Sequence, residues 1–178
     1  MNKEWSVWYN QARATLTEVI ILKIETYNGR FDNEIISLIL SIQNDEAKIG
    51  LSLQEQPDLL DIQRYYQKPG GEFWVALSDD RVIGTIGLML KEKNCAVLKK
   101  FFVEKVFRSQ KVGLSLYNEL LKYANSRGIE HTILDTPAVA HISHRFYEKA
   151  GFKRINSEEL PVPYSYPDRD SILYLLNL

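Results

Sequence analysis

Between residues 98 and 121 the chain reads LKKFFVEKVFRSQKVGLSLYNELL, an apolar strand-like run that passes through a basic loop directly into an amphipathic helix. Amides in the first turn of such a helix lack intrahelical partners and point outward, where they hold anions. Arg108 and Lys111 bring positive charge to the same place, and Gly113 lets a ligand approach the backbone closely. A phosphate-bearing ligand is the expectation.

The rest of the chain alternates strand and helix patterns. Trp5, Trp8, Tyr9 and Ala12 share one face of a short first helix, an accessory element over residues 1–14. Residues 15–24 are β-branched enough for a strand that ends in a turn at Asn28 and Gly29. From Asp32, apolar residues recur at helical spacing, with Asp32 or Asn33 as N-cap. A second helix is expected to start near Pro57 and Asp58, to carry Leu59, Leu60, Ile62 and Tyr66, and to stop at Pro69-Gly70-Gly71.

Strands are then expected over residues 72–77, 81–90 and 96–104. Short polar connections make them antiparallel hairpins. A helix, a strand over 131–136, a helix over 141–152 and two closing strands, FKRI and SILYLLNL, complete the order. Residues 160–170, with three prolines, Tyr164 and Tyr166, form a long loop expected to border a substrate site. The fold class is α/β, a single domain over residues 1–178 with a mixed sheet.

A length of 178 residues buries a core without disulfides or structural metal. The net charge of −1 argues against a nucleic-acid partner, so any anion site is local. The single cysteine, Cys95, excludes an intramolecular disulfide and a Cys-rich zinc site, and reads as packing. No run approaches the roughly 18 apolar residues of a membrane span, and the N-terminus lacks a signal peptide's apolar core. No membrane partner and a cytoplasmic location are therefore expected.

The order strand, basic loop, helix, strand, helix resembles the GNAT superfamily of N-acetyltransferases. That family's phosphate loop is usually written Arg or Gln, two residues, Gly, one residue, then Gly or Ala; here it stands as R-S-Q-K-V-G, with Lys111 at the first glycine. F-Y-E-K-A-G-F, from Phe146 to Phe152, is similar to the segment that places a tyrosine beside the thioester sulfur. The resemblance is strongest over residues 72–155 and implies a mainly antiparallel sheet flanked by helices. Its central strands, ending near Val103 and Asp135, would splay to admit the pantetheine arm of coenzyme A.

It further implies acetyl-CoA as cosubstrate, no metal, a primary amine as acceptor, and direct transfer without an acyl-enzyme. The loop Arg108, Ser109, Gln110, Lys111, Val112, Gly113 and Leu114 would bind pyrophosphate, using the amides of residues 110–114. Backbone of Phe102 and Val103 would pair with pantetheine and polarise the acetyl carbonyl. Tyr147 would assist thiolate departure. The asparagine the family often carries seven residues before that tyrosine is Ala140.

Each assignment has a structural alternative. Residues 108–113 also read as a solvated basic turn. If position 111 requires a left-handed backbone, a non-glycine residue costs about 1–2 kcal/mol; the favoured expectation is a relaxed loop in which the lysine ammonium replaces part of the backbone cradle. Tyr147 also reads as a core residue beside a buried face of Val139, Ile142, Phe146 and Ala150. Glu72, Glu104 and Asp135, near strand ends, are the carboxylates available as a base, each better explained as structural. His141 and His144 have a chelating spacing but no third ligand, and read as a partly exposed face. Rival functions are a non-catalytic acyl-CoA-binding module and an interaction domain using the N-terminal aromatic helix. The acceptor's identity and the choice between monomer and homodimer stay open.

Overall fold

The computed structural model describes residues 21–166 and 170–178, so the helix expected over residues 1–14 lies outside the described residues. Seven strands form one sheet: β1 (Leu22–Thr26), β2 (Glu72–Ser78), β3 (Arg81–Leu90), β4 (Cys95–Val103), β5 (His131–Pro137), β6 (Lys153–Ile155) and β7 (Ser171–Asn177). Their spatial order is β1-β2-β3-β4-β5-β7-β6. The expected hairpins are present. Asp79 and Asp80 (φ 49° and 58°) turn β2 into β3, both left-handed as a two-residue hairpin demands.

Helix α1 (Asp32–Leu40) packs on one face of the sheet, and α2 (Val112–Ser126) on the other. The short helix α3 (His141–Lys149) shares the α2 face. Along α2, Val112, Leu116, Tyr117, Leu120 and Ala124 are buried against Trp74, Ile86, Leu88 and Leu98 of the sheet. Leu116 and Leu120 are fully buried, each contributing about 1.5–3 kcal/mol. On the α1 face, Ile35, Ile39, Ile62, Tyr66, Phe73 and Val75 form a second core.

Two local expectations are corrected. The α1 cap is Phe31, in the left-handed region (φ 71°), while Asp32 is the first helical residue and its carboxylate accepts a 2.5 Å bond from the Tyr27 hydroxyl. The helix expected from Pro57 is two separate pieces, a 3-10 turn (Pro57–Leu59) and a π-helical turn (Gln63–Gln67). Asp61 restarts the chain between them by accepting the Arg64 amide at 2.9 Å.

The element that positions the site is the β4–β5 pair, the one parallel pair among the described strands. Its crossover is made by α2. Pairing covers only Cys95, Ala96 and Val97 against His131, Thr132 and Ile133, after which the strands separate towards Val103 and Pro137. The expected splay is therefore present. A bulge in β4 accompanies it: Thr85 opposes Phe102 and Gly87 opposes Lys99, so β4 carries one residue too many, with Lys100 at φ 51°. The buried Thr85 hydroxyl donates to the Lys100 carbonyl at 2.7 Å and holds the kink in place.

Candidate active site

Beyond β4 the chain makes a 3-10 turn (Lys105–Gln110), reverses at Lys111 and enters α2. Lys111 sits at φ 62°, ψ 10°, so the loop has kept the left-handed turn and has not relaxed around the lysine. Ser115 donates the first helical bond, to the Lys111 carbonyl at 2.9 Å, leaving the amides of Val112, Gly113 and Leu114 without intrahelical acceptors. No side chain caps them. A Cβ at Gly113 would stand 3.4 Å from the Phe101 ring and 3.7 Å from Val103, so the glycine also lets α2 lie close against β4.

Arg108 faces elsewhere. Its Nε donates to the Val103 carbonyl at 2.8 Å and its guanidinium pairs with Glu46 at 2.7 Å, leaving Lys111 as the exposed cation at the helix start. Glu46 lies in the π-helical turn (Ser41–Glu46) that continues α1, too far along the chain for sequence spacing to suggest the pair. Ser109 and Gln110 are exposed, and Gln110 Nε2 donates to the Val106 carbonyl at 3.2 Å. The Glu104 amide bonds the Ile83 carbonyl, so ladder alternation turns the backbone of Phe102 towards Thr85 and that of Val103 towards the opening.

Across the opening, Tyr147 is 6% exposed among Phe101, Phe146, Phe152 and Tyr174. The way F-Y-E-K-A-G-F fixes this ring is local. Gly151 (φ 93°) ends α3, its amide bonding Glu148 O while the Phe152 amide reaches back to Tyr147 O at 3.0 Å. That is a Schellman cap, and Phe152 packs on Tyr147 with 5.6 Å between ring centroids. The Tyr147 hydroxyl makes no hydrogen bond among the described residues. Burial, then the nearby Asp135 charge, raises its pKa above the ordinary phenol value, so it stays protonated at neutral pH.

The buried face of α3 differs from the expected one. Val139 and Ile142 are 62% and 66% exposed, whereas His144 is buried beside Tyr147. His144 is tolerated inside because both ring nitrogens are satisfied: Nδ1 meets Tyr174 Oη at 2.9 Å and Nε2 meets the carbonyls of Pro137 and Ala138 at 3.1 and 3.2 Å. The partly exposed pair of histidines is thus corrected to one exposed, His141, and one structural. No group of three metal-ligating side chains occurs among the described residues. Val139 and Ile142 at the α3 start, with Val106 and Leu114 at the α2 start, leave exposed apolar side chains at both helix starts.

The opposite face of the opening is polar. Because of the bulge, Lys99 and Lys100 both point to the α1 face, while Phe101 stays with α2 and α3. Lys100 is almost enclosed, its ammonium donating to Gln56 Oε1 at 2.6 Å and pairing with Asp58 at 3.3 Å. The other Asp58 oxygen accepts the Tyr66 hydroxyl at 2.7 Å, and Gln56 exchanges bonds with Gln43. Desolvation lowers the Lys100 pKa, and Asp58 opposes the shift. Val162 buries the proline-rich loop against Cys95, Val97 and Ile133, and Tyr164 then donates a short hydrogen bond to Asp135.

Of the three carboxylates singled out in the sequence, Glu72 accepts Gln67 and the Phe73 amide, and Glu104 pairs with Arg81. Only Asp135 stands at the opening. Sequence reasoning missed Lys99, Lys100, Gln56 and Asp58; the one available signal was a pair of lysines interrupting an apolar strand. Cys95 is fully buried and packs as expected. A groove lined by Leu22, Ile24, Ser115, Asn118, Leu121 and Lys122 lies between α2 and the edge strand β1, away from this chemistry.

The open α/β sheet thus carries one splayed parallel pair, with an uncapped helix start and the tyrosine-bearing helix α3 on the same face of the sheet. The chain matches the model of the acetyltransferase (GNAT) family over residues 36–152 and belongs to that family. An acetyltransferase from Streptococcus agalactiae 2603 is 38% identical and superposes with a TM-score of 0.84, covering 88% of this chain and 98% of that one. A GNAT-family acetyltransferase from Staphylococcus aureus Mu50 is 34% identical, with a TM-score of 0.85 over the same shares. The N-acetylaspartate synthetase of Danio rerio is 32% identical over 104 residues, 57% of this chain and 37% of that protein. The match thus spans about a third of the length of that curated relative.

Proposed function

We propose that this protein transfers an acetyl group from acetyl-CoA directly to a primary amine. The observation that carries this is the β4–β5 opening, with the free amides of Val112, Gly113 and Leu114 at its α2 lip and the Tyr147 hydroxyl at its α3 lip. Pyrophosphate would bind those amides with Lys111, whose ammonium is exposed beside them. Pantetheine would lie in the opening against the Val103 backbone, and the exposed apolar side chains of Val106, Leu114, Val139 and Ile142 would cover the cofactor.

In the reaction the amine nitrogen attacks the thioester carbonyl carbon, the C–N bond forms and the C–S bond breaks. The electron pair leaves on sulfur. The Tyr147 phenol is raised above its ordinary value of 10, whereas a thiol titrates near about 8.5, so full proton transfer to the thiolate is uphill. Its role is to donate a hydrogen bond to the sulfur as charge develops there. The buried Cys95 and the use of acetyl-CoA both fit the expected cytoplasmic location. No helix among the described residues is long and apolar enough to cross a membrane.

The test is release of free thiol from acetyl-CoA with a panel of amines, beside calorimetry with coenzyme A. Binding together with amine-dependent thiol release supports acetyl transfer. Binding without release from any amine would leave a non-catalytic acyl-CoA-binding module.

A further inference from the structure

We infer that the α1 face of the β4–β5 opening is an acceptor subsite for an amine that carries its own carboxylate, of the amino-acid type, with Asp135 receiving the amine and Lys99 the carboxylate. This rests on the acetyl-transfer reading. The cofactor elements, the α2 start and Tyr147, lie on one face of the sheet, so an acetyl group reaching through the opening meets its acceptor on the other.

Three observations define that face. First, the bulge breaks strand alternation and turns two successive lysines the same way, with Lys100 held at φ 51°. A left-handed non-glycine backbone is strained, and such strain persists where the surrounding structure holds it, often at functional positions. Second, the charges are unevenly satisfied. Lys100 is held by Asp58 and Gln56, and Asp58 is completed by Tyr66. Lys99 has no carboxylate partner among the described residues; its Nζ rests 5.3 Å from the centroid of the Tyr164 ring, an attraction that leaves its N–H donors open.

Third, the same Tyr164 donates its hydroxyl to one oxygen of Asp135, and no hydrogen bond among the described residues occupies the other oxygen. One tyrosine therefore fixes an open cation on the β4 lip and an open anion on the β5 lip. A zwitterion matches this arrangement. A polyamine would set its second ammonium against Lys99 and Lys100, and a simple neutral-tailed amine would leave Lys99 unmatched. Asp135 takes one proton from the bound ammonium, which frees the nitrogen lone pair to form the C–N bond; as the C–S bond breaks the second N–H proton leaves to solvent, and the thiolate takes a proton from solvent.

Acid and amide pairs test this, for instance α-amino acids against their carboxamides, with spermidine as the polycation. In thiol release the acids should exceed the matched amides at least about tenfold in kcat/KM. Lys99→Met, which keeps the apolar stem, should raise KM for the acids and bring that ratio near one, with Lys99→Arg restoring part of it. Lys93→Met, at the exposed β3–β4 turn, is the control and should keep the wild-type ratio.

Equal rates with acid and amide, preference for spermidine, or a uniform loss on every acceptor in Lys99→Met would overturn the assignment. Calorimetry of the coenzyme A complex with N-acetyl amino acids and their amides checks the subsite without turnover. Acid-selective binding that Lys99→Met abolishes would sustain the subsite even if transfer failed, whereas no binding of either ligand would overturn it.

Discussion

Tyr147→Phe deletes one hydroxyl that has no hydrogen-bond partner among the described residues and keeps a ring packed by four aromatic neighbours, so the fold should survive. If the hydroxyl acts on the developing thiolate, turnover should fall about 10²-fold while affinity for acetyl-CoA barely moves. Thiol release and calorimetry together read this, and intact turnover per folded molecule would make Tyr147 a core residue only. Tyr117 offers the opposite case. Its hydroxyl is buried with no partner among the described residues, and burial pushes its pKa up to about 12. Tyr117→Phe should therefore stabilise the protein by about 1 kcal/mol in urea denaturation, because an unpaired buried hydroxyl costs about 1–3 kcal/mol. At position 111 the left-handed backbone and the ammonium separate cleanly. Lys111→Ala keeps the strain and loses the charge, so coenzyme A binding should weaken, less so at high salt; Lys111→Gly should bind weakly too but unfold later, as the strain is gone.

At the scale of elements, α3 is held by its two ends, and the ends explain why Tyr147 is fixed among its aromatic neighbours. The Schellman cap at Gly151 was written in the local sequence. The other end, where His144 ties Tyr174 and two carbonyls, was not, because a histidine at an inward position is read as polar until its partners are known. His144→Ala should cost about 1–3 kcal/mol by leaving the Ala138 carbonyl unpaired, whereas the Pro137 carbonyl keeps the Ala140 amide at 2.9 Å. The urea midpoint should fall while the affinity of folded protein for coenzyme A changes little. β4 teaches the same lesson: its strand pattern was legible, but the bulge depends on Thr85 reaching the Lys100 carbonyl from the neighbouring strand.

For the whole molecule, pH dependence follows from the buried phenols. Tyr66, Tyr147 and Tyr164 all have pKa values raised, in each case mainly by burial. The folded state keeps protons that the unfolded chain releases above about 10, so this stability is complete below 10 and is lost as pH climbs towards the raised folded values. Lys100 works the other way. With its folded pKa depressed, unfolding takes up a proton in the window below 10.5, so its contribution grows as pH rises through that window. Denaturation midpoints should accordingly decline once pH passes 10, and Tyr117→Phe should make the decline shallower.

The sequence by itself determined the order of the strands and of the three α-helices, the hairpins, the basic strand-to-helix loop and the glycine turn behind Tyr147. Each depends on residues within a few positions of one another, where periodicity, turn chemistry and capping act directly. Only the tertiary structure decided where Arg108 points, which face of α3 is buried and what stands on the α1 side of the opening. Those answers rest on pairs far apart in the chain: Arg108 with Glu46 across 62 positions, Lys100 with Gln56 across 44 and Tyr164 with Asp135 across 29. Such charges and hydroxyls are brought together by sheet order and strand splay, and no local pattern in a single sequence records which of them will meet.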